Sequence, residues 1–103
     1  MTYKVILSTP SLLDLDGIIQ YISTTLKNPK AANSLLKDFE EILDNMGKSP
    51  RLYPVPRLKR LASRGYRRFT FGNYIAFFMI DEKKQQIYIV RILYQKQDYG
   101  NLL

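Results

Sequence analysis

The chain has 103 residues, of which 46% are hydrophobic, and this predicts one compact domain over residues 1–103. It contains no cysteine and no histidine, which excludes disulfides, thiolate metal sites and the commonest general base, so we expect no metal and no cofactor. The N-terminus lacks a signal-peptide pattern and no segment approaches the length of a membrane span, so we expect a cytoplasmic protein without membrane contact.

The first half of the chain predicts a strand followed by two helices. Residues 3–7 read as a strand that stops before Pro10. Ser11 and Asp14 form a capping signature for the first helix, and its apolar residues recur at helical spacing: Leu12, Leu15, Ile18, Ile19, Ile22 and Leu26. Asn28-Pro29 separates it from a second helix that Gly47 would end, with one apolar stripe: Ala32, Leu35, Leu36, Phe39, Ile42, Leu43 and Met46. The two helices should form an antiparallel hairpin.

The second half predicts a basic loop and three strands. Residues 50–56 are too rich in proline for a regular element. Residues 66–71 and 74–80 flank Gly72-Asn73, a two-residue connection typical of a β-hairpin, and residues 86–94 form a third strand after a turn at 81–85. By alternation Arg91 shares a face with Ile87, Ile89 and Leu93, so its cation must reach solvent or find an anionic partner.

Positive charge is concentrated in one part of the chain. The net charge is +7, and residues 48–80 contain no acid. This run carries half of all lysines and arginines: Lys48, Arg51, Arg57, Lys59, Arg60, Arg64, Arg67 and Arg68. Such a block predicts a polyanionic or acidic partner, although basic runs can also be solvated surface loops.

The element order and several short motifs together resemble one protein family. They are NPKAA at residues 28–32, MGKSPRLYP at 46–54, GYRR at 65–68, GNY at 72–74, DE at 81–82 and RILYQKQDY at 91–99. The chain resembles the RelE/ParE family of bacterial type II toxins, the plasmid stabilisation proteins. The resemblance implies an α+β fold with an N-terminal strand and an antiparallel helical hairpin packed on a mainly antiparallel four-stranded sheet. It also implies a cognate antitoxin that wraps around the domain.

The family contains two activities, and each implies a different partner. RelE-like members cut mRNA on the ribosome without a metal, whereas ParE-like members poison DNA gyrase. By resemblance to the RelE-like members, the catalytic candidates are Arg67, Tyr94, Lys96 and Tyr99. Basic side chains expected to bind RNA phosphates are Lys59, Arg60, Arg64, Arg68 and Arg91. Tyrosines on predicted strands are more often half-buried sheet residues than catalysts, and this applies to Tyr66, Tyr74, Tyr88 and Tyr94. Arg67 and Arg68 must point to opposite faces of one strand.

Three positions depart from the RelE-like pattern. Ile75 and Gln97 stand where those members carry arginines, and Phe69 stands where they carry a lysine. None of these three side chains can replace a charge-assisted phosphate contact. These departures weaken the case for a nuclease more than the case for a gyrase inhibitor. The resemblance as a whole still slightly favours an mRNA endonuclease, and it leaves open a gyrase inhibitor and an inactive relative that binds only its antitoxin.

Overall fold

A computed structural model describes residues 2–97 and 99–103; Met1 and Asp98 lie outside the described residues. The helices are α1 (Thr9–Gln20), α2 (Pro29–Lys48) and α3 (Lys59–Ser63), and a π-helical turn, Tyr21–Thr25, follows α1. The strands are β1 (Lys4–Leu7), β2 (Arg67–Phe71), β3 (Tyr74–Asp81) and β4 (Gln86–Tyr94). They form one sheet in the order β1-β4-β3-β2, in which β1 runs parallel to β4 and the other pairs are antiparallel. The predicted α+β fold is confirmed, with a mixed sheet.

Capping side chains set where the two long helices begin. Asn28 accepts a hydrogen bond from the Ala31 N–H at 3.1 Å, so the predicted start of α2 is confirmed. In α1 the cap is Ser8, whose hydroxyl accepts from the Ser11 N–H at 3.1 Å, and Ser11 itself is buried. The prediction that Ser11 begins this helix is wrong because the Ser8 cap lies three residues earlier.

Gly47 does not end α2, as the sequence predicted, but lies inside it. Its carbonyl accepts a hydrogen bond from the Tyr3 N–H at 2.7 Å. A Cβ at this position would lie 3.1 Å from the Tyr3 carbonyl oxygen. Glycine is therefore used here for the close approach of the chain entering β1 and not for a helix stop.

The sheet buries apolar side chains on both faces. One face, called here the helix-side face, is covered by α1 and α2. Its core is centred on Phe39 of α2, whose ring centroid lies 4.9 Å from that of Phe71. The buried residues of this cluster are Phe39, Met46, Phe69, Phe71, Ala76, Phe78, Ile87, Ile89 and Ile92. The opposite face, called here the α3 face, buries Ile75, Phe77 and Leu93 under Leu61 of α3. The sequence predicted only a loop in this region, and α3 forms there because its Leu61 is fully buried against the sheet.

A β-bulge changes the side-chain alternation of β4. Phe78 pairs with Ile89 whereas Phe77 pairs with Arg91, so Val90 is the extra residue on β4. As a result Ile92 shares the helix-side face with Ile89, while Leu93 lies on the α3 face. The prediction that Arg91 shares a face with Ile87 and Ile89 is wrong for this reason.

Candidate functional site

Arg67, the first catalytic candidate, lies on the helix-side face. It opposes Phe78 in the β2–β3 ladder and alternates with the buried side chains of Phe69 and Phe71. One guanidinium nitrogen, Nη1, donates to the Tyr53 carbonyl oxygen at 2.7 Å and to the Arg51 carbonyl oxygen at 3.3 Å. These bonds attach the proline-rich loop to the edge of the sheet.

Tyr94 and Lys96 lie at the opposite end of the β2–β3 hairpin from Arg67. Tyr94 opposes Tyr74, and their ring centroids are 6.0 Å apart, so Tyr94 also faces the helices. Partial burial, with the neighbouring Tyr21 and Tyr94 hydroxyls, raises the pKa of Tyr74. Lys96 follows in an exposed turn, which is closed by a hydrogen bond from the Gln97 N–H to the Tyr94 carbonyl oxygen.

Tyr99, the fourth catalytic candidate, lies on the α3 face. Its ring centroid is 5.0 Å from that of Phe77, which is fully buried. Tyr99 is therefore separated by the sheet from Arg67 and Tyr94. The structure brings Tyr94 close to Lys96, but it does not bring the four candidates together in one site.

A basic groove opens on the α3 face beside Tyr99. It has a volume of about 250 Å³ and is lined by Arg57, Arg68, Thr70, Ile75, Gln95 and Tyr99. The side chains of Arg68 and Thr70 both point into the groove, because residues two apart on a strand share one face. The side-chain amide of Gln95 donates a 2.9 Å hydrogen bond to the Gly72 carbonyl oxygen. Within residues 2–97 and 99–103, neither the Arg57 nor the Arg68 guanidinium has a hydrogen-bond or ion-pair partner.

The remaining predicted phosphate-binding side chains occupy different environments. Lys59 and Arg60 are exposed on α3, and the Arg64 guanidinium donates to the Leu103 carbonyl oxygen at 3.1 Å. Arg91 is paired with Asp14: its Nε and Nη2 donate to the two carboxylate oxygens at 2.7 and 3.1 Å. The hydrogen bond with Asp14 raises the pKa of Arg91, and the ion pair that its position required is present.

Sequence reasoning missed Arg57, Thr70 and Gln95 as groove residues. Thr70 could have been found from its two-residue spacing with Arg68, since that spacing puts both side chains on one face of β2. Arg57 carried no such signal, because it lies in an irregular segment before α3. In the part of the chain that is described, no group of three or more acidic side chains could hold a metal ion, and no helix is long and apolar enough to cross a membrane.

Comparison with known proteins identifies the family. Residues 5–99 match the profile described as the ParE toxin of the type II toxin-antitoxin system, parDE. The chain belongs to this family. The resemblance to RelE/ParE toxins that its motifs indicated is therefore confirmed, and the match covers both long helices, the last three strands and β1 from its second residue.

Three solved structures of toxin–antitoxin systems have the same fold. A chain of the chromosomal ParDE system from P. aeruginosa superposes with a TM-score of 0.70 at 18% identity, covering 90% of this chain and 96% of that one. The RelBE2 complex from Mycobacterium tuberculosis gives 0.62 at 20% identity, covering 91% and 99%. The archaeal RelE-RelB complex from Pyrococcus horikoshii OT3 gives 0.52 at 15% identity, covering 94% and 99%. No curated protein sequence matches the chain.

Proposed function

We propose that this ParE-family protein is the growth-inhibiting toxin of a type II toxin–antitoxin pair, and that it acts in the cytoplasm by binding DNA gyrase. The observation that carries the choice of target is the dispersal of the catalytic candidates. Arg67 and Tyr94 lie on the helix-side face, at opposite ends of the β2–β3 hairpin, and Tyr99 lies on the α3 face. A gyrase inhibitor needs a binding surface and no proton relay.

RNA cleavage by attack of the 2′-hydroxyl requires a base, an acid and a cation within hydrogen-bonding reach of one phosphate. Arg67 already donates to two backbone carbonyls, and Phe69, at the position of a RelE-like lysine, is a core residue with 3% exposure. Ile75 lies on the groove floor, where RelE-like members carry an arginine. These positions argue against a nuclease of the RelE type.

The proposed partner in the resting state is a cognate antitoxin. The helical hairpin exposes large apolar side chains on α1 and in the turn that follows it: Leu12, Leu13, Tyr21 and Leu26 are each at least half exposed. Amphipathic segments bind exposed apolar grooves and sheet edges, so an antitoxin segment would cover the groove between the hairpin and the sheet. The net charge of +7 favours an acidic antitoxin.

One observation favours a second candidate, the mRNA endonuclease on the ribosome. The basic groove combines two arginines with the Tyr99 hydroxyl, which are groups that can bind and protonate a phosphate ester. An inactive relative that retains only antitoxin binding is the third possibility. Both alternatives predict growth and assay results that differ from those expected for a gyrase inhibitor.

The experiment combines growth with two purified assays. We expect expression of the protein alone to arrest bacterial growth, and co-expression of the adjacent small gene to restore it. Purified protein should block supercoiling by gyrase and leave mRNA intact on translating ribosomes. Cleaved mRNA with unaffected supercoiling would establish the nuclease instead. Normal growth despite abundant folded protein would indicate the inactive relative.

A further inference from the structure

We infer that a pocket at the edge of the sheet, together with the apolar loop beside it, is the surface through which this protein binds gyrase. The pocket would receive an acidic segment of gyrase that carries one large apolar side chain. This role rests on the proposed function and adds to it the contact surface on the toxin and the chemistry of the segment bound there.

The pocket, called here the edge pocket, lies where β3 continues beyond its pairing with β2. Arg67 at the start of β2 pairs with Phe78, whereas β3 extends to Asp81, so residues 79–81 run past the start of β2. The space left there has a volume of about 350 Å³, which is enough for one aliphatic or aromatic side chain. Its lining includes Val55, Ala62, Tyr66, Ile80, Arg51 and Arg67.

The loop beside the edge pocket exposes three large apolar side chains within residues 52–58. Leu52 is 83% exposed, Val55 49% and Leu58 42%, and Val55 also lines the pocket. Single exposed apolar residues are common on protein surfaces, but a cluster beside a pocket is typical of a protein interaction site. The loop and the pocket therefore form one apolar surface.

This loop is held against the sheet, so its apolar side chains are presented in a fixed arrangement. The Arg67 Nη1 donates to the Tyr53 carbonyl oxygen at 2.7 Å, and the Arg68 N–H donates to the Pro54 carbonyl oxygen at 2.9 Å. The Tyr53 ring packs edge-on against the Phe78 ring, with their centroids 6.2 Å apart. Binding to a preformed surface loses little conformational entropy, which favours recognition at this site.

Cations around the edge pocket favour an acidic segment as the ligand. The loop carbonyls use only Nη1 of Arg67, and within residues 2–97 and 99–103 its Nε and Nη2 donate to no protein atom. Lys59 lies three residues before Ala62 on α3, so both are on one face of that helix. In the described part of the chain, Lys59 has no ion-pair partner.

Two acidic side chains close to this region already have partners. Glu82 forms an ion pair with Arg51 at 2.6 Å, which neutralises the charge of that arginine. Asp81, at the end of β3, accepts a hydrogen bond from the Lys84 N–H at 3.1 Å. The charge that remains available at the lining of the edge pocket is positive, and an acidic ligand would complement it.

The edge pocket is distant from the exposed apolar residues assigned to the antitoxin. Leu26 precedes α2 and Leu52 follows it, and a helix of 20 residues is about 30 Å long. Tyr21 lies near Tyr74, at the opposite end of the β2–β3 hairpin from Arg67. Two separate apolar surfaces suit two different protein partners.

Three substitutions test the edge pocket by different chemistry. Leu52→Ala removes the most exposed apolar side chain, Ala62→Leu fills the pocket, and Lys59→Glu reverses a charge beside it. Affinity for purified gyrase would be measured by biolayer interferometry over a series of salt concentrations, and inhibition of supercoiling on the same proteins. The matched controls are Leu102→Ala, an exposed leucine elsewhere, and Lys37→Glu, on the exposed side of α2.

We expect Leu52→Ala and Ala62→Leu each to weaken gyrase binding about tenfold, because a few anchor contacts carry most of the affinity of an interface. Lys59→Glu should weaken it by a similar factor at low salt, mainly through slower association, and this loss should shrink as the salt concentration rises. The two controls should change the affinity by less than about twofold. All five variants should bind the antitoxin as the wild type does.

The possible failures are distinguishable. Equal gyrase binding by the wild type and the three pocket variants would overturn the inference and leave the proposed function intact. Weaker antitoxin binding with unchanged gyrase binding would assign the edge pocket to the antitoxin instead. Absence of gyrase binding by the wild type would overturn both. Thermal melting followed by circular dichroism shows which variants are folded, and Val55→Ser replaces any pocket variant that is not.

Discussion

Replacement of Asp14 by alanine should be among the most destabilising single changes outside the apolar core. Strand β4 continues beyond the end of its neighbour β1, which pairs with it only as far as Ile89. In this part of β4 the Asp14 carboxylate accepts a hydrogen bond from the Ile92 N–H at 3.0 Å, as the carbonyl of a neighbouring strand would. It also accepts two bonds from Arg91. The side chains of Arg91 and Asp14 are 28% and 16% exposed, so this pair is largely withdrawn from water.

The expected loss follows from these contacts. An unsatisfied buried N–H costs about 1–3 kcal/mol, and breaking a fully buried ion pair costs about 3–5 kcal/mol. Arg91 can turn towards solvent when its partner is removed, so the second cost applies only in part. We expect Asp14→Ala to lower the free energy of unfolding by about 2–4 kcal/mol.

Urea denaturation measures this change, and two variants separate its parts. Asp14→Asn keeps an oxygen acceptor for the Ile92 N–H but loses the charge, so it should cost about 1–2 kcal/mol. Asp16→Ala, two residues further along α1 at an exposed position, should stay within about 0.5 kcal/mol of wild type. If Asp14→Ala were no more destabilising than Asp16→Ala, the carboxylate would not act as the substitute strand partner.

Three further predictions concern one ion pair in a loop and two glycines. Hydrogen bonds from the Tyr3 hydroxyl and the Arg51 guanidinium lower the pKa of Glu82 below its ordinary 4.5. The ionised Glu82 carboxylate therefore stabilises the fold above pH 4.5, and this stabilisation is lost as the pH falls through the lower pKa of the folded state. Glu82→Gln should therefore flatten the acid limb of the urea midpoint plotted against pH, and an unchanged limb would contradict this. Gly72 has a φ of +56°, and a Cβ there would lie 2.8 Å from a Leu35 methyl carbon, so Gly72→Ala should destabilise the protein by about 1–3 kcal/mol. Gly17→Ala, in α1 with no atom within 4 Å of the added Cβ, should instead stabilise it by up to about 1 kcal/mol in the same assay.

Much of the fold could be predicted because its signals are local. The apolar stripe of α2 and its Asn28 cap depend only on residues a few positions apart, and so does the Gly72-Asn73 turn. Motif order along the whole chain was enough to identify the RelE/ParE resemblance, which the family match over residues 5–99 confirmed. Composition alone also determined the surplus of positive charge.

The candidate site was less predictable because it depends on pairings between distant residues. The bulge at Val90 becomes visible only when β4 is aligned with β3, and it moves Arg91 away from the face that simple alternation predicts. The Asp14 partner of Arg91 comes from a segment 77 residues away. The parallel pairing of β1 with β4 is likewise a long-range contact with no local signal.

The sequence by itself determined the four strands, the two long helices, the family and the charge of this protein, whereas the tertiary structure decided which cations share a site. Arg67 and Arg68 are neighbours of the same type, yet one attaches a loop on the helix-side face and the other lines a groove on the α3 face. Arg57 reaches that groove only through the path of the irregular segment before α3. Helical and strand periodicity arise from bonds along the backbone, but a binding site arises from contacts between segments, and those contacts exist only in the folded chain.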